Sequence, residues 1–256
     1  MNEPVHITSR DNPLLLRLRK LAQDGTAYRR AAQVWLEGEH LCSALRERGG
    51  VPEQAVLTEA AWQNPALRAL TRGVTRVTLV PAPLFAGISG LESPAGIGFV
   101  LALPAAPTIE PTVATVVLDR LQDAGNVGSI LRSAAAFGVL QVLALKGTAA
   151  LWSPKVLRAG MGAHFALRLI EGLDDAALQA LTVPLVATSS HGGAELHQAD
   201  LPKPCAWLMG HEGQGVSKAL LQRCALRVRI PQPGGEESLN VAAAAAVCLY
   251  ESARRP

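Results

Sequence analysis

Three stretches of this sequence gather the residue types that chemistry needs, each just after an apolar run. The first is Asp119-Arg120-Leu121-Gln122-Asp123-Ala124-Gly125-Asn126-Val127-Gly128-Ser129-Ile130-Leu131-Arg132. A glycine-bearing loop followed by a helix from about 127 to 137 offers backbone amides and a helix start to an anion such as a nucleic-acid phosphate. Arg132 is a natural anion partner, although an arginine on a solvated helix face is equally ordinary. The second is Met209-Gly210-His211-Glu212-Gly213-Gln214-Gly215-Val216-Ser217. Its glycines let a bulky ligand come close to the main chain, and Ser217 suits the N-cap of a following helix. The third, from Ile230-Pro231 to Ser238-Leu239-Asn240-Val241, is an irregular Pro/Gly loop ending where Ser238 or a neighbour caps the last helix. Capping alone accounts for one such loop, but not for three built alike.

Other chemistries are excluded by spacing. Gly125-x-x-Gly128 is not G-x-G-x-x-G and has no acidic partner at the right distance, which disfavours a nicotinamide oxidoreductase. His211-Glu212 lacks a second histidine at helical spacing, so a zinc-protease site fails. Cys42, Cys205, Cys224 and Cys248 form no C-x-x-C pair, so neither a structural zinc nor a disulfide framework is expected. Reduced, buried thiols in a cytoplasmic protein are the expectation, with no metal.

The elements that must position these loops alternate between strand and helix. Apolar runs at 113–118, 139–145, 166–170, 185–188, 205–209 and 226–230 are rich in Val and Leu, as parallel strands covered on both faces are. The expected fold class is α/β, an open doubly wound sheet binding ligands at the carboxyl ends of its strands. Before it comes a smaller α/β unit with strands near 34–36, 55–57, 74–80 and 96–101. Asn12-Pro13 opens a helix there with Leu14, Leu15, Leu18 and Leu21 on its apolar face. Three prolines within 104–111 mark an extended linker. The expected domains are therefore 1–103 and 112–256.

Of 256 residues, 49% are hydrophobic, enough for a sizeable core, and only 18% are charged, too few for a long solvating tail. Aromatics at 4% argue against single-strand binding on stacking platforms. The net charge of +3 leans toward an anionic partner. Arg10, Arg17, Lys20, Arg29 and Arg30 cluster in the first thirty residues and are candidates for phosphate contacts, against the plainer alternative of a solvated helix face. The N-terminus lacks a basic region followed by an apolar stretch, and the uncharged run 241–250 is far shorter than a membrane span. A soluble, intracellular protein is expected.

The order N-x-G-x-x-x-R-x-A (126–134), G-x-E-G-x-G (210–215) and I-P…S-L-N-V (230–241) resembles the three motifs of the SpoU/TrmH-type RNA 2′-O-methyltransferases, of the trefoil-knot SPOUT class. The resemblance covers 112–251. The first domain, with Ile7-Thr8-Ser9-Arg10-Asp11-Asn12-Pro13 and Leu36-Glu37-Gly38-Glu39-His40, is similar to the L30e-like RNA-binding domain many of these enzymes carry.

The resemblance implies a deep knot, a homodimer formed through the knotted domain, and S-adenosylmethionine held by backbone at Gly210, Ile230 and Leu239. It also implies Asn126, Arg132, Glu212, Ser238 and Asn240 as catalytic residues. Ala124, Gly160, Gln232 and Ala242 depart from the family's commoner Pro, Ser, Met and Ser, without removing any of those five.

The implied reaction is attack of a ribose 2′-hydroxyl on the sulfonium methyl, with S-adenosylhomocysteine as the leaving group. Family mechanisms give the hydroxyl proton to the arginine, which is awkward for a free guanidinium with a pKa above about 12. A charged Arg132 that binds the adjacent phosphate and stabilises the developing alkoxide is the better physical version. The L30e-like domain favours 23S ribosomal RNA over tRNA, with no DNA and no membrane partner. An idle RNA-binding assembly factor is the alternative of a different class.

Overall fold

The computed structural model describes residues 3–189, 192–235 and 238–255. The chain divides into two compact units: one runs to Ala105 and includes Trp152–Phe165, and the other comprises Ala106–Leu151 with the chain from Ala166 onward. The main changeover falls within the proline-rich stretch. Trp152–Phe165 departs from the boundaries expected from sequence, since it sits in the stretch assigned to the second domain. Its buried Val156 and Leu157 bring it to the first unit.

The first unit contains β1 (Val5–His6), α1 (Pro13–Gln23), α2 (Ala27–Ala31), β2 (Gln33–Glu37), α3 (Glu39–Glu47), β3 (Gln54–Thr58), α4 (Glu59–Gln63), α5 (Pro65–Ala69), β4 (Arg76–Val80), α6 (Ala82–Ala86) and β5 (Ile97–Ala102). Its sheet runs β1-β4-β3-β5-β2, parallel from β1 to β3 and antiparallel at β5. Asn12 Oδ1 accepts the Leu14 amide at 2.9 Å, and Pro13 supplies a preset φ, so α1 starts where expected. Leu15, Leu18, Leu21 and Ala22 are its buried face, while Leu14 is only half-buried. The two-residue β1 carried too little pattern to be seen in the sequence.

The second unit contains β6 (Thr115–Asp119), α7 (Ala124–Ala136), β7 (Gln141–Leu145), β8 (Arg168–Leu173), β9 (Leu185–Thr188), β10 (Ala194–Glu195), β11 (Ala206–Gly210), α9 (Lys218–Arg223), β12 (Leu226–Arg229) and α10 (Val241–Arg254); α8 (Pro154–Gly160) belongs with the first unit. Seven strands pair in the order β10-β12-β9-β11-β6-β7-β8, every neighbouring pair parallel. This is the expected α/β sheet. Val116, Val117, Leu118, Val142, Leu143, Val186 and Leu208 are buried along it, because crossover helices cover parallel strands on both faces. From β6 the chain first proceeds to β7 and β8 on one side, and later strands fill the other. The crevice between β6 and β11 is therefore a topological switch point, where carboxyl-end loops diverge and leave room for a ligand.

Two local expectations change, and a third is made specific. Helix α7 begins at Ala124, about one turn before expected, because Asp123 Oδ1 accepts the Asn126 amide at 2.7 Å and caps it. Gly125 and Asn126 are thus in the first helical turn, not in a loop. Ser217 occupies the N-cap position of α9, but its hydroxyl makes no capping bond. The α10 cap is Asn240, whose Oδ1 accepts the Ala242 and Ala243 amides at 2.9 and 3.2 Å; Ser238 lies two residues too early.

Candidate active site

Loops 119–124, 210–217 and 230–240 all leave the carboxyl end of the seven-stranded sheet, and a short chain of polar side chains joins them. Asn126 is the middle member. Its Nδ2 donates to Glu212 Oε1 at 3.3 Å, and its Oδ1 accepts from Asn240 Nδ2 at 2.9 Å. Glu212 also accepts the amides of Gln122 (3.3 Å) and Asp123 (3.1 Å). One residue from each motif thus meets the next across 86 and 114 positions of sequence. Burial pushes the Glu212 carboxyl up, but hydrogen bonds from its own amide, Asp123, Asn126 and Gln122 outweigh this and hold it below the ordinary range. Glu212 is therefore an anionic acceptor at neutral pH, suited to holding loops rather than to carrying a proton.

Beside this chain lies a cavity of about 640 Å³ whose walls include Gly210, Gly213, Gly215, Ile230, Ser238 and Leu239. Its size suits a cofactor-sized molecule. Gly210 is required by close approach: a Cβ there would stand 2.1 Å from Val216 N and 2.2 Å from Gly215 C. The loop folds back over the end of β11, closed by the Gly215 amide donating to His211 O at 2.8 Å. The glycines bring main chain to the wall, beside polar side chains that include His211, Gln214 and Asn240. Gln232 adds a buried Oε1 with no partner among the described residues, an acceptor left for a bound polar group. Glu236 and Glu237 of the third loop lie outside the described residues.

The structure does not bring every expected site residue into this contact. Arg132 is exposed on α7 and forms no hydrogen bond or ion pair among the described residues. It stands six positions after Asn126, about 120° round the helix, where a long side chain remains free for an external anion. Ser238 and Leu239 are exposed at the cavity wall, and Ile230 is half-buried there.

In the first unit all five basic candidates are exposed. Arg17 and Lys20 lie one turn apart on α1. Arg10 is 3.8 Å from Asp11, Arg30 is 3.8 Å from Asp24, and Arg29 donates to Tyr28 Oη at 3.1 Å. Sequence reading missed Asp123, the α7 cap. An Asp three residues before Asn126 was the available signal.

The family model for the SpoU rRNA Methylase family matches residues 114–250, the whole stretch that builds this sheet and its three loops. The chain belongs to that family. Among SpoU relatives, RlmP of Bacillus subtilis, a 23S rRNA (guanosine(2553)-2′-O)-methyltransferase, is 32% identical and matches over 84% of this chain and 86% of its own. An uncharacterized tRNA/rRNA methyltransferase of Synechocystis is 35% identical over 97% of this chain and 93% of its own. The AdoMet-bound rRNA methyltransferase of Sinorhizobium meliloti superimposes with a TM-score of 0.84 at 28% identity, covering 97% of each chain. These likenesses span both units, so the first unit is part of the shared SpoU enzyme architecture and not an unrelated addition.

Proposed function

We propose that this SpoU protein methylates a ribose 2′-hydroxyl of 23S ribosomal RNA, using S-adenosylmethionine. The observation that carries the proposal is the Glu212–Asn126–Asn240 chain, which ties the three motif loops together beside a glycine-rich cavity. Likeness to RlmP over 84% of this chain, and to the Sinorhizobium rRNA methyltransferase over 97%, supports ribosomal RNA as the substrate.

When bound, S-adenosylmethionine supplies a methyl group already activated by its sulfonium charge. The protein's own work is then to place a hydroxyl and ease the loss of its proton. The backbone at Gly210, Ile230 and Leu239 holds the cofactor, with Gln232 Oε1 as a further acceptor. Asn126 is fixed on both sides, so its position is set before substrate arrives. Ser238 and Asn240 fix the ribose and the third loop. Arg132, exposed and unengaged, binds the adjoining phosphate and stabilises negative charge growing on the 2′-oxygen.

The first unit binds RNA through Arg10, Arg17, Lys20, Arg29 and Arg30, as an L30e-like domain. Two copies pair through the second unit. Leu140, Val247 and Tyr250 are 51%, 42% and 55% exposed on and beside α7 and α10, with Tyr250 edge-on to Phe137, and such apolar residues favour a covered face. The C-terminal segment is knotted. Arg255 Nη2 donates to Leu196 O at 2.8 Å and Trp207 Nε1 donates to Ser252 Oγ at 2.9 Å, which fasten that segment against the 196–207 stretch. Free cysteines, three of them buried, accord with a cytoplasmic location; Cys224 is only half-buried, contrary to expectation.

The test is transfer of labelled methyl from S-adenosylmethionine to unmodified 23S rRNA and tRNA transcripts, followed by digestion to locate the 2′-O-methylated nucleotide. Label in 23S rRNA that disappears with Arg132→Ala is the expected result. Label in tRNA alone overturns the substrate, and no label with no cofactor binding overturns the enzyme.

A further inference from the structure

We propose that Asp119 is a positioning residue that fixes the 211–217 loop, one wall of the cofactor cavity, by accepting the Ser217 amide and by clamping Arg120 against Gln214. This role rests on the functional reading above only for what the cavity holds.

Asp119 ends β6, and among the five residues of that strand it alone is charged. It is 1% exposed, and a carboxylate that deep is retained only when its oxygens are satisfied. Both are. Oδ2 accepts the Ser217 amide at 2.7 Å, and Oδ1 accepts from Arg120 Nε at 2.8 Å. Arg120 Nη1 then reaches Gln214 Oε1 at 3.2 Å. One carboxylate thus grips the loop at its end directly and at its tip through the guanidinium. The bond to Ser217 spans 98 positions of sequence, so no local turn preference could supply it.

The backbone is bent to make this possible. Arg120 has φ of 61°, a left-handed conformation unusual for a residue with a side chain. Its amide donates to Thr148 Oγ1 at 3.1 Å, and Thr148 in turn donates to Leu118 O at 3.0 Å, which holds the bend. Gly147 makes room for the arginine stem, since a Cβ there would lie 3.3 Å from Arg120 Cγ. A strained arginine held from behind, salt-bridged to a buried aspartate and bonded to a cavity-wall loop is a device for rigidity. It differs from the Glu212–Asn126–Asn240 chain, which joins the loops to one another; Asp119 joins the loop that leaves β11 to the neighbouring strand β6.

The experiment measures two things on Asp119→Asn and Arg120→Ala. The first is amide hydrogen exchange at Gly213, Gly215 and Ser217 in the cofactor-free protein. The second is the Kd for S-adenosylmethionine by calorimetry, with the KM for RNA as comparison. Asparagine keeps an acceptor for Ser217 but turns an N–H toward the guanidinium, so the clamp on Arg120 opens. Exchange in the loop is expected to quicken about ten-fold or more, and the Kd to rise by roughly ten-fold, with the KM for RNA within about two-fold of wild type. Arg120→Lys keeps the charge but not the fork and is expected to recover part of the loss.

A purely structural role for Asp119 would lower Tm and leave loop exchange and Kd unchanged in the folded variants; that outcome overturns the proposal. Should Asp119→Asn not fold, Arg120→Ala decides alone, since Arg120 is more than a third exposed and its removal spares the Ser217 bond. Failure of the wild-type protein to bind S-adenosylmethionine would instead overturn the functional reading, while the exchange data would still judge the clamp.

Discussion

Replacing Asn126 by Asp changes almost no volume and reverses one polarity, which makes it a sharp probe of the chain that joins the three loops. Asn126 Nδ2 now donates to Glu212 Oε1 at 3.3 Å; in the variant a carboxylate oxygen takes that place and faces another carboxylate. The lost hydrogen bond, long at 3.3 Å and reaching an exposed carboxylate, is worth about 1–1.5 kcal/mol, the upper part of the range for uncharged partners. Repulsion between two charges about 4 Å apart adds roughly 1 kcal/mol in water and up to about 4 kcal/mol where water is partly excluded. Glu212 is exposed, so the lower half of that range applies. A combined loss of about 2–4 kcal/mol predicts a fall in kcat/KM of roughly thirty- to a thousand-fold at pH 8. The bond from Asn240 to position 126 survives, because a carboxylate still accepts it.

The pH dependence of Asn126→Asp carries the sign. Two carboxylates so close raise one another's pKa, and below the raised value the pair keeps one proton and regains a donor. Activity relative to wild type should therefore climb as pH falls from about 8 toward about 5.5. Asn126→Ala, which removes the bonds without adding charge, should show a smaller loss and no such climb. The Asn126→Asp/Glu212→Gln double variant restores a donor–acceptor pair and should recover about ten-fold over the single Asp variant. The assay is steady-state methyl transfer across pH, with Tm measured alongside. A loss under about three-fold with a flat pH ratio would refute the claim that this chain sets the site.

Three further outcomes follow from single observations. Gly210→Ala should lower Tm by about 4–10 °C and abolish measurable S-adenosylmethionine binding, since the new Cβ meets main-chain atoms that must move; scanning calorimetry and titration would check both. The Glu251 carboxyl is held below the ordinary range by the Arg254 bond, against burial and with help from Arg255. It therefore stabilises the fold above about pH 4.3 and loses that contribution as pH falls through its lowered folded-state value. Glu251→Gln should cost about 1–2 kcal/mol at pH 7 and narrow the gap to wild type in acid, as read from denaturant midpoints. Removing both Arg17 and Lys20 should reduce the slope of log binding constant against log salt by about 1.4–1.8, measured on structured RNA. Arg10→Ala and Arg30→Ala should change it less, because each already faces an aspartate at 3.8 Å.

Much of this protein is legible in its sequence because the signals are local or periodic. Apolar runs of four to seven residues marked the six longer strands of the second sheet, and every pair proved parallel, as continuous Val/Leu stretches require. Helix α1 was readable from Asn12-Pro13 and a leucine stripe. The motifs with Asn126, Arg132, Glu212, Ser238 and Asn240 were visible as residue types at fixed spacings.

Tertiary structure decided what those residues do to one another. Nothing in the sequence says that Asn126 bonds to Glu212 on one side and to Asn240 on the other, since the strand order that makes them neighbours is set by packing of the whole sheet. The α7 start depended on a cap, Asp123, and Ser217 gave its amide to Asp119 where a local rule predicts a hydroxyl cap. Trp152–Phe165 joined the first unit because its buried face found apolar surface there, a choice that chain order does not record. Periodicity fixes which face of an element is apolar. Only closure of the core fixes which distant polar groups are left facing each other.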